Sequence, residues 1–357
     1  MDQINEEYHG SEPHSYGGKY RLYEQFPRKK LLVDKAMKKN DVYTRFKQHR
    51  KSKFYSPIYV HWKRQLFQSD VVFFTNDLLV RAAKGYRYLF TTIDVFTKMA
   101  WVYPMKQNNA KTVKKCFQDI FSQCGQKPDK INSDRGSELV GKEVSKFLRE
   151  ENIHHYLSYS DRKCPVVERF NLTIQRLLYK IMTHENSYEW TKFLDQAMKI
   201  YLNRKHRTIQ MTPNEAEKEE NQSKLNEIYF EKYKKAEANR RKPKFKIGDK
   251  VRIWNERLKF QRGYHESFTR EHFSITEVLA NLPVPRYKIK DYNGECIVGS
   301  FFEDELVSYS PDDGALYHVE KILKTKGKGR KKQHLVKFVG WDNSHNSWVN
   351  AADVKKL

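Results

Sequence analysis

Three acidic residues at the ends of separate elements pose the chemical question. Asp70 interrupts the apolar run QSDVVFF, Asp134 ends KINSD just before Arg-Gly-Ser, and Glu168 lies near the start of PVVERFNLTIQRLLYKIM. A lone carboxylate is most often a solvated surface acid. A carboxylate set inside an apolar strand is costly unless a cation or hydrogen bonds meet it. Acids converging from separate strands and a helix are what two-metal phosphoryl transfer requires. There one ion activates the attacking oxygen and a second, about 3.5–4 Å away, stabilises the leaving one. Oxygen-only ligation suits two Mg²⁺ or Mn²⁺ ions. Zinc is not expected: Cys116, Cys124, Cys164 and Cys296 are scattered, with no CxxC pair, and also argue against a disulfide framework.

On the helix that carries Glu168, the spacing predicts a buried face of Val167, Phe170, Ile174, Leu177, Leu178 and Ile181. Glu168, Asn171 and Gln175 fall on another face, flanked by Arg169 and Arg176. That stripe is expected to present the acid to metal and the remaining side chains to DNA. Asp94, in TTIDVFTK, reads as structural; Glu138 stays open between a solvated acid and a DNA-facing or metal-proximal one. His154 and His155 are neighbours on a strand, so they point to opposite faces and cannot share a metal.

The elements that must position these residues group into modules. Residues 1–64 read as a polar start, two short helices (Lys19–Gln25 and Arg28–Lys39, with Leu31, Leu32, Ala36 and Met37 inward) and a basic extended arm. Residues 65–216 read as one α/β domain, with strands at Gln68–Phe74, Tyr86–Asp94, Met99–Met105, Lys130–Ser133 and Ile153–Ser158. Helices are expected at Ala110–Cys124, Gly141–Asn152, Pro165–Met182 and Trp190–Leu202, which together suggest a mixed sheet covered by helices. Residues 217–244 read as a charged helical linker. Short alternating strands over 245–310 suggest a small barrel, with Trp254 and Phe260 among its aromatics and Trp254 in its core. Residues 315–357 form a last small unit of three strands and a terminal turn. The fold class is therefore multidomain α+β.

The net charge of +24 is concentrated. Arg28–Arg64 holds thirteen Lys and Arg against two acids, and Glu231–Arg262 thirteen against four. Such clusters suit phosphate neutralisation with counterion release, so DNA is the expected partner. No apolar run is long enough to span a membrane, and the start of the chain lacks a signal-peptide profile.

The segments QSDVVFF, YLFTTIDVFTKMAWVYPMK, INSDRGSEL and KCPVVERFN resemble the D,D,E core of retroviral and retrotransposon integrases, an RNase H-like fold. Together with GGKYRLY and VYTRFKQHRKSKF near the start, they are most similar to integrases of Maverick/Polinton-type DNA transposons. The resemblance implies that Asp70, Asp134 and Glu168 are the metal ligands of 3′-end processing and strand transfer. It also implies a homo-oligomer of two or four copies, a nuclear location, and an SH3-like barrel after the core. LYHVEKIL…HLVKFVGWDNSHNSWVNAADV resembles a chromodomain, which implies a methyl-lysine cage at Tyr317, Phe338 and Trp341 for a methylated histone tail, with Trp348 in the core. The chain departs from the retroviral pattern in places. The interval from Asp134 to Glu168 is two residues shorter, no cysteine precedes Cys116 to build an N-terminal zinc site, and Leu172 and Gln175 stand where lysines are usual. A non-catalytic chromatin- or DNA-binding derivative and a hydrolytic nuclease are the competing classes, and the intact triad favours the integrase.

Overall fold

The computed structural model describes residues 2–12, 15–50, 52, 56–157, 164–255, 266–310, 319–338 and 343–354; Phe260, Tyr317, Trp341 and most of the expected loop after Leu157 lie outside them. The chain forms two compact units, residues 56–240 and residues 1–55 with 241–357. No helix among the described residues is long and apolar enough to cross a membrane.

Residues 56–240 are built on a five-stranded sheet of β1 (Leu66–Phe73), β2 (Tyr88–Asp94), β3 (Ala100–Met105), β4 (Lys130–Ser133) and β5 (His154–Leu157). The order is β3-β2-β1-β4-β5; the first three strands are antiparallel neighbours, while β1–β4 and β4–β5 are parallel. This is the mixed sheet expected of an RNase H-like core. Period-two alternation sends Phe67, Val71, Phe90 and Ile131 to one face, where they meet the helices Ala110–Cys124 and Lys142–Glu150. Val72, Leu89 and Ile93 go to the other face, against Pro165–His184 and Leu194–Leu202. The second face is closed by Trp190, fully buried and stacked on Phe74 at 4.3 Å.

Two expected boundaries shift. Ile58, Tyr59 and Val60, read as part of a DNA-contacting arm, pack with Leu66, Val95 and Phe96 at one end of this sheet. The helix Gln222–Ala238, read as a linker, docks there too through Leu225 and Tyr229. Its phenol donates to Val95 O (2.7 Å) and Phe96 O (2.9 Å). The chain stays on the core because one turn of helix buries two apolar side chains and satisfies two carbonyls.

In the other unit, Asp2–His9, expected to be an irregular polar start, is a helix that buries Ile4 and Tyr8 against Leu22, Val33, Ala36 and Met37. Leu31 and Leu32, expected inside, are exposed, because Val33 takes the inward position. The helix Asp41–Phe46 falls inside what reads as an extended arm. A second five-stranded sheet comprises β6 (Lys250–Ile253), β7 (Phe273–Leu279), β8 (Arg286–Lys290), β9 (Phe301–Phe302) and β10 (Leu306–Ser308), all antiparallel in the order β10-β6-β7-β8-β9. Its core is Phe245, Val251, Phe273, Ile275, Tyr287, Ile289 and Leu306. The buried Arg252 reaches Asp41 (2.5 Å) and lies 3.9 Å from the Tyr309 ring centroid, which ties strand to helix. Trp254 is half-buried and stacks on His49 at 4.1 Å, so its ring is only partly the core residue expected. The antiparallel strands β11 (Val319–Lys326), β12 (Gln333–Phe338) and β13 (Ser347–Asn350) complete the unit, followed by a short turn at Ala351–Asp353. Trp348, expected in a core, is instead 39% exposed with Lys326 Nζ 4.2 Å from its ring.

Asp94 has the structural role its sequence context suggests. It is fully buried and accepts from Phe96 N (3.1 Å), Thr97 Oγ1 (2.9 Å) and Arg64, whose guanidinium also grips Glu217 at 2.8 Å. Asp94→Ala would leave these donors underpaired, so equilibrium urea unfolding should show a loss of about 3–5 kcal/mol. A loss within the ordinary surface range, about 0.5 kcal/mol, would contradict this role.

Candidate active site

Register decides which acids can meet. β1 and β4 pair in parallel with Ser69 opposite Ser133, so the next residues, Asp70 and Asp134, continue side by side. Both follow the alternation that sends Gln68 and Asn132 towards the Pro165–His184 helix. Strand neighbours lie about 4.8 Å apart, close enough for two carboxylates to feel one another.

Gln68 then brings in the third acid. Its side chain is 1% exposed, and its Oε1 accepts from Val166 N (2.9 Å) and Val167 N (3.2 Å), two of the otherwise unpaired amides at the helix start. Its Nε2 donates to Asn132 Oδ1 (3.3 Å), and Asn132 Oδ1 also receives the Cys164 thiol at 3.3 Å. The helix is thus pinned over the two strand ends, with Glu168 in its first turn. Sequence reasoning missed Gln68. The available signal was a polar side chain two residues before Asp70, hence on the same strand face.

The Asp134 and Glu168 charges both reach Asp70. Burial pushes the Asp70 carboxyl up to about 6; the Val71 N–H opposes this, the Asp134 and Glu168 charges add to it, and the Asn171 amide opposes it. Each carboxylate takes an N–H of its own neighbourhood. Asp70 accepts from Val71 N (2.8 Å) and Asn171 Nδ2 (2.9 Å), Asp134 from Gly136 N (2.9 Å), and Glu168 from Cys164 N (3.3 Å). Turned this way, they do not close into a cage: among the described residues no three His, Cys, Asp or Glu side chains stand close enough to hold one ion. In donor type alone the set fits a hard divalent cation, since every candidate ligand atom is an oxygen.

The other expected site residues separate. Asn171, expected to face DNA, is buried against Asp70. Gln175 is half-buried, and Arg169 and Arg176 are exposed on the helix. Glu138 is buried close to Asp134: a Cβ on Gly136 would lie 2.6 Å from Glu138 Oε1 and 3.1 Å from Asp134 Oδ1. A side chain at Gly136 would push the Glu138 carboxylate from this position. His155 meets Ser133 Oγ at 2.8 Å, while His154 is exposed, so the two diverge as expected. Of the expected cage residues, Phe338 is half-buried at the end of β12, and Tyr317 and Trp341 lie outside the described residues.

A pH dependence follows. The folded chain holds the Asp70 proton more tightly than the unfolded chain, whose carboxyl titrates near 3.8. Its stabilising contribution is therefore complete below about pH 4 and is lost as pH rises through about 6. In chelator, Asp70→Asn should gain stability relative to the natural chain by up to about 3 kcal/mol between pH 4 and pH 7, read by urea unfolding. A pH-independent difference would contradict the assignment.

Comparison with known proteins agrees with this geometry. Residues 63–163 match the family described as integrase core domain, a span that contains Asp70 and Asp134 and stops before Glu168. A putative uncharacterized transposon-derived protein of Caenorhabditis elegans is 28% identical over 202 residues, covering 56% of this chain and 67% of that one. The Pol polyprotein of feline endogenous virus ECE1 is 32% identical over 117 residues, covering 32% of this chain and 11% of the polyprotein. The chain thus spans about two thirds of the first relative and only a small part of the viral one. Among solved structures, the cryoEM structure of the simian T-cell lymphotropic virus intasome in complex with PP2A regulatory subunit B56 gamma shares the fold. Its TM-score is 0.55 at 12% identity, covering 82% of this chain and 99% of that chain. Residues 63–163 are thus similar to an integrase core domain.

Proposed function

We propose that this chain is a DNA integrase or transposase that processes the 3′ ends of a transposon and joins them to target DNA. The observation that carries the reading is the parallel register that sets Asp70 beside Asp134, with the start of the Glu168 helix held to the same strand by Gln68. Mg²⁺ or Mn²⁺ ions held by these three carboxylates would supply activation of the attacking hydroxyl or water and stabilisation of the departing oxygen. The chain's own groups do the rest. Gln68 fixes the helix that carries Glu168, Asn171 orients the Asp70 carboxylate, and Arg169 and Arg176 stand exposed on the same helix for DNA phosphates. The stripe has changed from the one expected, with Asn171 serving the site from within.

The flanking modules give the reaction its place. The antiparallel sheet β10-β6-β7-β8-β9, with its buried Val251, Ile275 and Ile289, supports an SH3-like barrel. The sheet β11-β12-β13 and the terminal turn support a chromodomain that docks a methylated histone tail and so directs insertion to chromatin in the nucleus. Joining two ends in concert needs two active sites, hence at least a dimer.

The test is to incubate the full chain with Mg²⁺, a duplex bearing the element's terminal sequence and a target plasmid. Joining by the natural chain and its loss by at least about 100-fold in Glu168→Gln is the expected result, since the substitution removes one of the charged groups that would hold the ions. No joining by the natural chain would leave a non-catalytic DNA-binding derivative, and equal joining by both would remove Glu168 from the catalytic set. For the last module, fluorescence titration should show tighter binding of a methylated than an unmethylated histone-tail peptide; equal affinities would remove the reader role.

A further inference from the structure

The unit formed by residues 1–55 and 241–357 contains a cavity of about 760 Å³, lined by residues of that unit. Three of its lining aromatics expose much of their rings: Tyr16 is 60%, Tyr20 71% and Phe46 48% exposed. Cations come from two distant stretches, Lys47 and Arg50 after the Asp41–Phe46 helix and Lys244 on the approach to β6. Lys47 keeps solvent exposure, yet partial burial of its ammonium and the nearby Lys244 and Lys19 charges hold its pKa below the usual lysine value. A wall that crowds like charges is stabilised by an anion. Glu303 and Asp304 also line the cavity, and Asp304 is engaged by Ser52 N at 2.8 Å.

We propose that this cavity is a binding site for single-stranded DNA, with unstacked bases on the aromatic rings and phosphates on the lysines. Shape excludes the duplex. A volume of this size suits a small organic group, within the roughly 300–1,000 Å³ of ligand pockets, whereas a duplex is convex and hides its base faces in its own stack. Charge alone would suit any phosphate polymer, but exposed rings beside the cations add a partner for a base face. Such stacking platforms beside basic grooves are how single strands are held without sequence readout. The site rests on the reading of the chain as a DNA enzyme but not on its catalysis.

The experiment measures fluorescence anisotropy of the full chain with three probes: a short dT oligonucleotide, an abasic oligonucleotide of the same length, and a duplex. The natural chain should bind the dT probe more tightly than the abasic one. Tyr20→Ala and Phe46→Ala should each weaken dT binding about tenfold while leaving the abasic probe and the duplex unchanged. Lys244→Gln should weaken dT and abasic probes alike. Equal binding of dT and abasic probes by the natural chain, or dT binding insensitive to both aromatic substitutions, would overturn the site while leaving the DNA-joining reading intact. No binding of any probe would overturn both.

Discussion

The parallel pairing of β1 with β4 is the constraint on which the remainder rests. With Ser69 opposite Ser133, the two strands deliver Asp70 and Asp134 to neighbouring positions on one sheet face. A slip of one residue would send one acid to the opposite face, into Phe67, Val71 and Ile131. The apolar alternation on both faces holds the register, so the hydrophobic core and the acid pair are specified by the same pattern. Gln68 extends the constraint to the third acid by binding the first amides of the Pro165–His184 helix.

That arrangement carries an electrostatic cost, which the fold offsets locally. Burial first, with the neighbouring Asp134 and Glu168 charges adding to it, holds Asp70 protonated to about pH 6. Backbone amides of Val71, Gly136 and Cys164 and the side chain of Asn171 absorb part of the charge. Gly136 leaves space for the Glu138 carboxylate next to Asp134. Acids gathered against burial and mutual repulsion mark a candidate functional site.

Much of this was legible in the sequence, and the failures have physical reasons. The five strands of the core and its long helices follow from apolar periodicity, and the acids stood out because each breaks or ends an apolar pattern. Gln68 did not stand out, and Asn171 stood out for DNA rather than for Asp70, because their partners lie 98 to 101 residues away. The helix Gln222–Ala238 looked like a linker because its surface is charged; it is anchored by only two buried side chains, Leu225 and Tyr229, spaced four apart. The N-terminal helix was hidden for a similar reason: Ile4 and Tyr8 make an apolar face only once Leu22, Val33, Ala36 and Met37 are there to meet it. Local pattern reveals an element that has its own stripe. It does not reveal one whose fixing is tertiary.

The central claim is that three acids far apart in sequence share one cation-binding locus. Calorimetric titration of the full chain with Mn²⁺ tests it most directly, comparing the natural chain with Asp70→Asn, Asp134→Asn and Glu168→Gln. The account predicts measurable binding by the natural chain and a loss of at least about tenfold in affinity in every one of the three variants. Undiminished binding in any of them would contradict it.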